Sequence, residues 1–509
     1  MKKRFLSILL LLCMLTSTVS CGEAGETTGA QETASAAASA GDAAGAAEEQ
    51  PETAEETEAE TELTDGLPEK DMQGYTYNIL NYKAENLSWA NTRIYAEEMN
   101  GEAVNDAMFE RESEIEERFK CELTTEEQAD PVGTAKAAVT AGDAAYQSVY
   151  VNEGGLANFL QSSIAWNNVP HLQLSELHWN PNATGTYYLN GKQTALAGNI
   201  SLAVVSRAVC TVFNKRIFEE LFPEDSLYET VRNNEWTLDT FLNYANSAGL
   251  DLNGDGAWTK DDQYGLNMGR GFKGYIASLL GAAGYHFTTA DAEGTQVFTM
   301  HTDENTLNLV TTLMEQLDNA GFYYNEDTTV HGFAPSDFFS SGHALFTQGV
   351  PHDVEKLRDM EDDLGILPMP KYTAEQEQYY SASWGGEILM LPKTVLLAEE
   401  GENIGMILEA MSFYAYYNII PLYKEVALKT KTARDEESSD MLDIVFSSAS
   451  FDFGTNILYD AVLATSVLND MWQAKSVDSI VSSCTKNEKQ IAAYIKANIG
   501  KALERVPLE

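Results

Sequence analysis

The apolar residues of the chain fall into two rhythms, and the rhythms predict its elements. Tyr75-Thr-Tyr-Asn-Ile-Leu-Asn-Tyr82 alternates β-forming and polar residues, so it predicts a first strand. Met99, Val104, Met108 and Ile115 recur at roughly helical spacing and predict a long helix over 91–119. A short strand at 121–123, a helix over 130–144, a strand over 148–151 and a helix over 154–162 follow. Strand and helix in alternation are the grammar of an α/β sheet covered on both faces.

Farther on, 191–199 suggests a hairpin and 200–211 is a long apolar run leading to a helix over 216–221. Helical patterns recur over 272–285 and 306–319. The segment 338–349 ends in Ala344-Leu-Phe-Thr-Gln-Gly349. Strand-like segments stand at 364–371 and 387–393, and from 402 onward the pattern is mainly helical. No repeat is visible.

The two ends of this pattern differ from the rest. Met1–Ser20 carries Lys2, Lys3 and Arg4 before the apolar run 5–15, the arrangement of a signal peptide and too short to span a bilayer comfortably. It leads through Thr18-Val-Ser into Cys21-Gly22, which resembles a bacterial lipobox with Thr18 in place of the usual Leu. That resemblance implies Cys21 as a lipid-modified N-terminus; plain secretion with an incidental cysteine is the alternative. From 22 to 69 the chain is Ala, Glu, Thr, Gly and Ser with no Lys or Arg. It lacks the apolar residues for a core and predicts a disordered, self-repelling tether.

Length and charge then narrow the function. At 509 residues two or three domains are expected. A net charge of −46 argues against a nucleic-acid partner and against docking on anionic lipid. Outside the two N-terminal cysteines, Cys121, Cys210 and Cys484 have no metal-ligand spacing, sit in partly apolar contexts and read as buried thiols, with a single disulfide as the alternative.

One loop carries cation chemistry. Asp251, Asn253 and Asp255 at alternate positions, Gly256 at the turn, the carbonyl of Ala257, Thr259 and the closing Asp262 follow the spacing of an EF-hand loop with Asp in place of the terminal Glu. Calcium as a structural cofactor is the expectation; an Asx-rich surface turn that binds nothing is the alternative.

Several segments resemble, in order, the extracellular solute-binding lipoproteins of ABC importers (family 1, maltose-binding-like, carbohydrate type). They are Gly101-Glu-Ala-Val-Asn-Asp-Ala107 with Arg111, Phe213-Asn-Lys215, Trp236-Thr-x-Asp239, the 251–265 loop and Gly342-His-Ala-Leu-Phe346. Leu357-Arg-Asp-Met360, Gly365-Ile-Leu-Pro-Met-Pro-Lys371, and Arg434-Asp-Glu-Glu with Met441-Leu-Asp complete the set. The resemblance implies an α/β, two-lobe, periplasmic-binding-protein-like (type II) fold with hinge strands and an inter-lobe cleft. Lobe 1 would be 74–203 with 385–412, and lobe 2 would be 204–384 with 413–509, after a signal peptide (1–20) and a lipidated tether (21–73). Crossings are implied near 202–206, 384–390 and 413–418. It further implies a lipid-anchored monomer on the outer face of the membrane that captures a solute, most of all a sugar, and delivers it to permease subunits without turnover. Closure on such a solute is a hinge motion driven by higher affinity for the closed state.

A sugar site needs aromatic plates and polar side chains. Asn152 and Glu153 follow a strand at its carboxyl end, where open α/β sheets bind ligands; a helix cap is the alternative. Trp384 stands beside a proposed crossing next to glycines, with core packing as its alternative. Arg207, a charge in an apolar run, points to the cleft or to a hinge ion pair. Arg270 and Lys273 occupy positions resembling ligand-contacting loops of the family. Trp166 and Trp179 are weaker candidates, and Trp236 reads as a core anchor.

Two rival classes remain. A secreted carbohydrate-active enzyme would use a carboxylate pair, but acids are too abundant for any pair to be informative. No G-x-S-x-G elbow, H-E-x-x-H or P-loop is present, and seven scattered His argue against a histidine metal centre. A calcium-dependent cell-surface interaction module is suggested because the loop resembles that of a dockerin, which carries two such loops where this chain has one.

Overall fold

The computed structural model describes residues 64–508 apart from 88–90, 269–270, 325–336, 355, 356, 358, 385, 429–435 and 475–477. The expected signal peptide, Cys21 and the tether up to residue 63 lie outside the described residues, as does Arg270. In chain order the strands are β1 (Tyr75–Tyr82), β2 (Cys121–Gln128), β3 (Ser148–Asn152), β4 (Ser163–Ile164), β5 (Tyr188–Leu189), β6 (Lys192–Gln193), β7 (Cys210–Asn214) and β8 (Tyr264–Asn267). They continue with β9 (Thr288–Ala290), β10 (Gln296–Phe298), β11 (Tyr323–Tyr324), β12 (Ala344–Gly349), β13 (Leu364–Pro368), β14 (Ser381–Ala382), β15 (Glu387–Pro392) and β16 (Ala449–Ser450).

Two five-stranded sheets organise these strands. The first runs β2-β1-β3-β15-β4 and the second β11-β8-β12-β7-β13. In the first, β1 pairs parallel with β2 and β3, and β15 returns antiparallel to β3. In the second, β8 pairs parallel with β11 and β12, and β7 runs antiparallel to β12 and β13. The chain therefore leaves the first sheet after β4, builds the second, and comes back with β15.

Alternation along the strands explains why both sheets are covered on two faces. On the first, Tyr77, Ile79, Tyr150 and Leu389 feed one apolar cluster, while Leu80, Val149, Ile388 and Met390 feed the other. The second sheet packs on the fully buried Trp236, whose Nε1 donates to the Pro368 carbonyl at 2.9 Å. That tryptophan is the core anchor its position suggested.

The helix expected over 91–119 spans only Ala103–Phe119. Gly101 at φ +86° breaks it, Asp106 takes the amides of Asn100 and Gly101, and Glu102 caps the next two free amides at 3.1 and 2.9 Å. Arg111 in that helix is fully buried, paired with Glu112 at 2.7 Å and donating to the carbonyls of Ile94 and Ile200. It is a structural tie.

The tether was expected to reach residue 73, yet 64–73 is built into the fold. Asp65 pairs with Arg118 at 2.6 Å, Lys70 with Glu402 at 2.7 Å, and Met72 is buried in the core. Composition missed this because two charges and one methionine suffice to dock a segment onto a finished surface. Cys121 is a half-buried thiol, and Cys210 and Cys484 are buried ones.

Candidate functional site

Of the residues singled out by sequence, Asn152, Glu153, Arg207 and Trp384 meet where the chain passes between the two sheets. Asn152 ends β3, and its side chain accepts from the Gly154 amide at 3.2 Å, which is the cap geometry. Glu153 is buried, and its Oε2 accepts from Asn456 Nδ2 at 2.6 Å. The same nitrogen donates to the Ser383 carbonyl at 2.8 Å. Gly386 lies so close that a Cβ there would stand 2.9 Å from Glu153 Oε1.

Arg207 does not face a cleft. It is 2% exposed, donates Nε to the Trp384 carbonyl at 2.7 Å and sets Nη1 3.4 Å from Asp353 Oδ2. The ion-pair alternative describes it, because a guanidinium shut away from water needs a carboxylate and carbonyls around it. Trp384 is 4% exposed and packs edge-on against Tyr459 at 4.8 Å, so core packing describes it too. Trp166 and Trp179 are buried as well, with Trp179 Nε1 donating to Glu409 at 2.6 Å. Lys273 is half-buried against Asn469 at 3.1 Å, and burial pulls its ammonium below the usual lysine range.

Beside this junction lies a cavity of about 580 Å³. One wall is the stretch from Pro181 to Tyr188, from the part of the chain between β4 and β5; another is Gly281 to Gln296, following β8; the third is Ser450–Phe453 at the end of β16. Tyr188, Tyr380 and Phe451 supply aromatic surface, and Asn182, Thr186 and Gln296 supply neutral hydrogen-bonding groups. Among its described lining residues only His286 and Asp452 carry ionisable charge at neutral pH. They pair at 3.0 Å, with the His286 side chain 47% exposed and Asp452 8%. The hydrogen bond to Asp452 raises the His286 pKa above its ordinary value, outweighing burial.

The cavity wall and the junction are one network. Asp452 donates its amide to Asn456 Oδ1 at 3.1 Å, and Asn456 holds Glu153. Tyr187 lies behind Phe451 at 6.1 Å between ring centres. Burial pushes its hydroxyl well above the usual tyrosine range, and the carboxylates of Glu153 and Asp452 add to the shift. Sequence reasoning missed His286, Asp452, Tyr380 and Tyr188. A signal was available at Phe451-Asp-Phe453, an acid flanked by two aromatics just before a helix.

In the 251–262 loop the side-chain oxygens cap the loop's own amides. Asp251 accepts from Gly254 and Gly256 at 2.7 Å each, Asn253 from Asp255 at 2.8 Å and Asp255 from Ala257 at 2.7 Å. Asp262, fully buried, accepts from Leu252 at 3.1 Å and from the amide of Thr259 at 2.7 Å, and these bonds pull its pKa down. Among the described residues no three His, Cys, Asp or Glu gather as a metal cluster would. The donor types suit calcium, but their arrangement is that of linked Asx turns.

The chain matches no protein-family model and no curated protein in sequence. Its fold is similar to solved structures. The cyclic alpha-maltosyl-1,6-maltose binding protein of Arthrobacter globiformis matches with TM-score 0.55 at 14% identity, over 83% of this chain and 99% of that one. UspC of M. tuberculosis matches with TM-score 0.53 at 12% identity, over 83% and 100%. A cyclo/maltodextrin-binding protein complexed with maltotetraose matches with TM-score 0.52 at 13% identity, over 82% and 97%. With its two sheets and returning β15, the chain has the two-lobe, type II periplasmic-binding-protein fold.

Proposed function

We propose that this protein is the extracellular solute-binding component of an ABC importer, capturing a carbohydrate between its lobes and passing it to a membrane permease without turning it over. The observation that carries this is the 580 Å³ cavity, walled from three separate parts of the chain by aromatic rings and neutral hydrogen-bonding groups. Ring faces suit the C–H surfaces of a sugar, and amides and hydroxyls suit its hydroxyls. A single ion pair in the wall favours a neutral saccharide over an acidic one. The fold adds support, because the structural neighbours include a maltosyl-maltose binder and a maltodextrin binder.

In this reading the lobes are 74–203 with 385–412 and 204–384 with 413–509. The buried Arg207–Asp353 pair and Trp384 stiffen the crossing between them, while Asn152, Glu153 and Lys273 stand near the ligand's path. Lipid-modified Cys21 tethers a monomer to the outer face of the membrane, and Cys21→Ser should release it to the medium. Calcium in the 251–262 loop would stiffen lobe 2.

The test is calorimetry of the full chain against mono- to tetrasaccharides, with each sugar assayed afterwards for cleavage. Binding of one saccharide class with the sugar recovered intact supports the proposal. Cleavage would point to an enzyme, and heat-silent titrations throughout would remove carbohydrate as the solute.

A further inference from the structure

A second cavity, of about 410 Å³, opens on the other side of Pro181 and Asn182, which line both. It falls within the range of small-molecule sites. One wall is unusual. The helix Leu397–Tyr414 does not run straight into the helix Ile420–Leu428; a π-helical turn, Ala415–Ile419, joins them. Such turns add a residue to the helix and mark functional sites more often than ordinary turns do. Within this turn the consecutive residues Tyr416 and Tyr417 both line the cavity, their rings 4.9 Å apart and nearly perpendicular at 89°.

Tyr417 is 40% exposed, its ring resting against Phe413 at 4.7 Å as well as against Tyr416. In the same lining Asn199 is held by its Nδ2 bond to the His178 carbonyl at 2.8 Å, and Asn182 is exposed. Among the lining residues Lys424 pairs with Asp443 at 2.6 Å, joining the helix Ile420–Leu428 to the helix Glu436–Ser447. Two tyrosine rings, two side-chain amides and one compensated ion pair in one lining make a site for a neutral, hydroxyl-bearing ring. Val205 and Tyr416, each within an implied crossing, both line it, so an occupant would sit against the segments linking the two sheets.

We propose that this second cavity is a separate binding site for a neutral sugar, distinct from the 580 Å³ cavity, taking only its ligand class from the function proposed above. The test uses the full chain and titrates glucose, galactose, mannose, maltose, cellobiose and maltotetraose calorimetrically. The wild type is compared with Tyr417→Ala, Tyr417→Phe and, in the first cavity, Tyr380→Ala. The expected result is two binding events. Tyr417→Ala weakens one at least tenfold, Tyr417→Phe keeps it, and Tyr380→Ala weakens the other. An event sensitive to Tyr417 alone upholds this site while removing the first. One event lost in Tyr380→Ala and untouched by Tyr417→Ala overturns this site and leaves the first standing. One event weakened by both variants overturns the claim of separate sites, and no binding of any sugar overturns both. Unchanged melting of Tyr417→Ala, whose ring is 40% exposed, ties its effect to the ligand.

Discussion

The junction around Arg207 and the cavity wall around His286 hold similar kinds of residue and use them in opposite ways. At the junction the charges are shut away: Arg207 and Asp353 are each 2% exposed, and Glu153 is under Asn456. At the wall His286 is nearly half exposed, Tyr188 is 54% exposed, and the amides face a cavity. Burial costs a charge so much solvation that it must be matched inside the protein, and a matched group has nothing left for a solute. The first arrangement holds the chain's crossing in place. The second leaves hydrogen-bonding capacity for a ligand.

The sharpest way to break this contrast is Asp353→Ala. Removing the buried carboxylate beside Arg207 should cost about 3–5 kcal/mol, read by urea unfolding. A cost below about 1 kcal/mol, the range of exposed pairs, would erase the distinction between the two regions. Calcium comes next. If the 251–262 loop binds it, calcium at 100 times its dissociation constant should add about 2.7 kcal/mol, chelator should remove that gain, and Asp251→Asn with Asp255→Asn should abolish the response. A melting curve indifferent to calcium would leave the loop as a self-capped turn.

At the cavity, Tyr380→Ala should cost about 1.4 kcal/mol of sugar affinity, a tenfold rise in dissociation constant, with melting nearly unchanged. Equal losses of stability and affinity would put Tyr380 with the buried groups. The smallest effect is the pH response of His286. Its folded pKa is raised by Asp452, so the stabilisation is fully present below about pH 6.5, the unfolded value, and is lost as pH rises through the folded value. The wild type should therefore lose melting temperature across that window relative to His286→Gln. The pair is part-exposed and screened, so the step is small.

How much of this was legible depends on the range of the forces involved. The strand Tyr75–Tyr82 was read to the residue, since alternation is local and the strand is flanked by a glycine turn. The start of the helix Ala103–Phe119 was not, because apolar spacing persists through 91–102 while Gly101 and Asp106 decide the boundary. Asn152 and Glu153 were correctly placed at a strand's carboxyl end. That Asn456 covers Glu153 could not be seen from either residue's neighbours in sequence. His286 and Asp452 escaped notice for the same reason, each being unremarkable until the fold sets them 3.0 Å apart.

By itself the sequence determined what local chemistry controls: the alternation of the strand Tyr75–Tyr82, the turn-forming residues of the 251–262 loop, the lysine- and arginine-free stretch 22–69, and a strongly acidic chain. Tertiary structure alone decided which polar groups would be sealed in and which left facing a cavity. Arg207 finds its carboxylate 146 residues away, so its role was set by where β7 and β12 deliver the chain. Solvation is the physical reason. The same side chain is a structural tie or a ligand contact according to whether the fold leaves water beside it, and no neighbour in sequence carries that information.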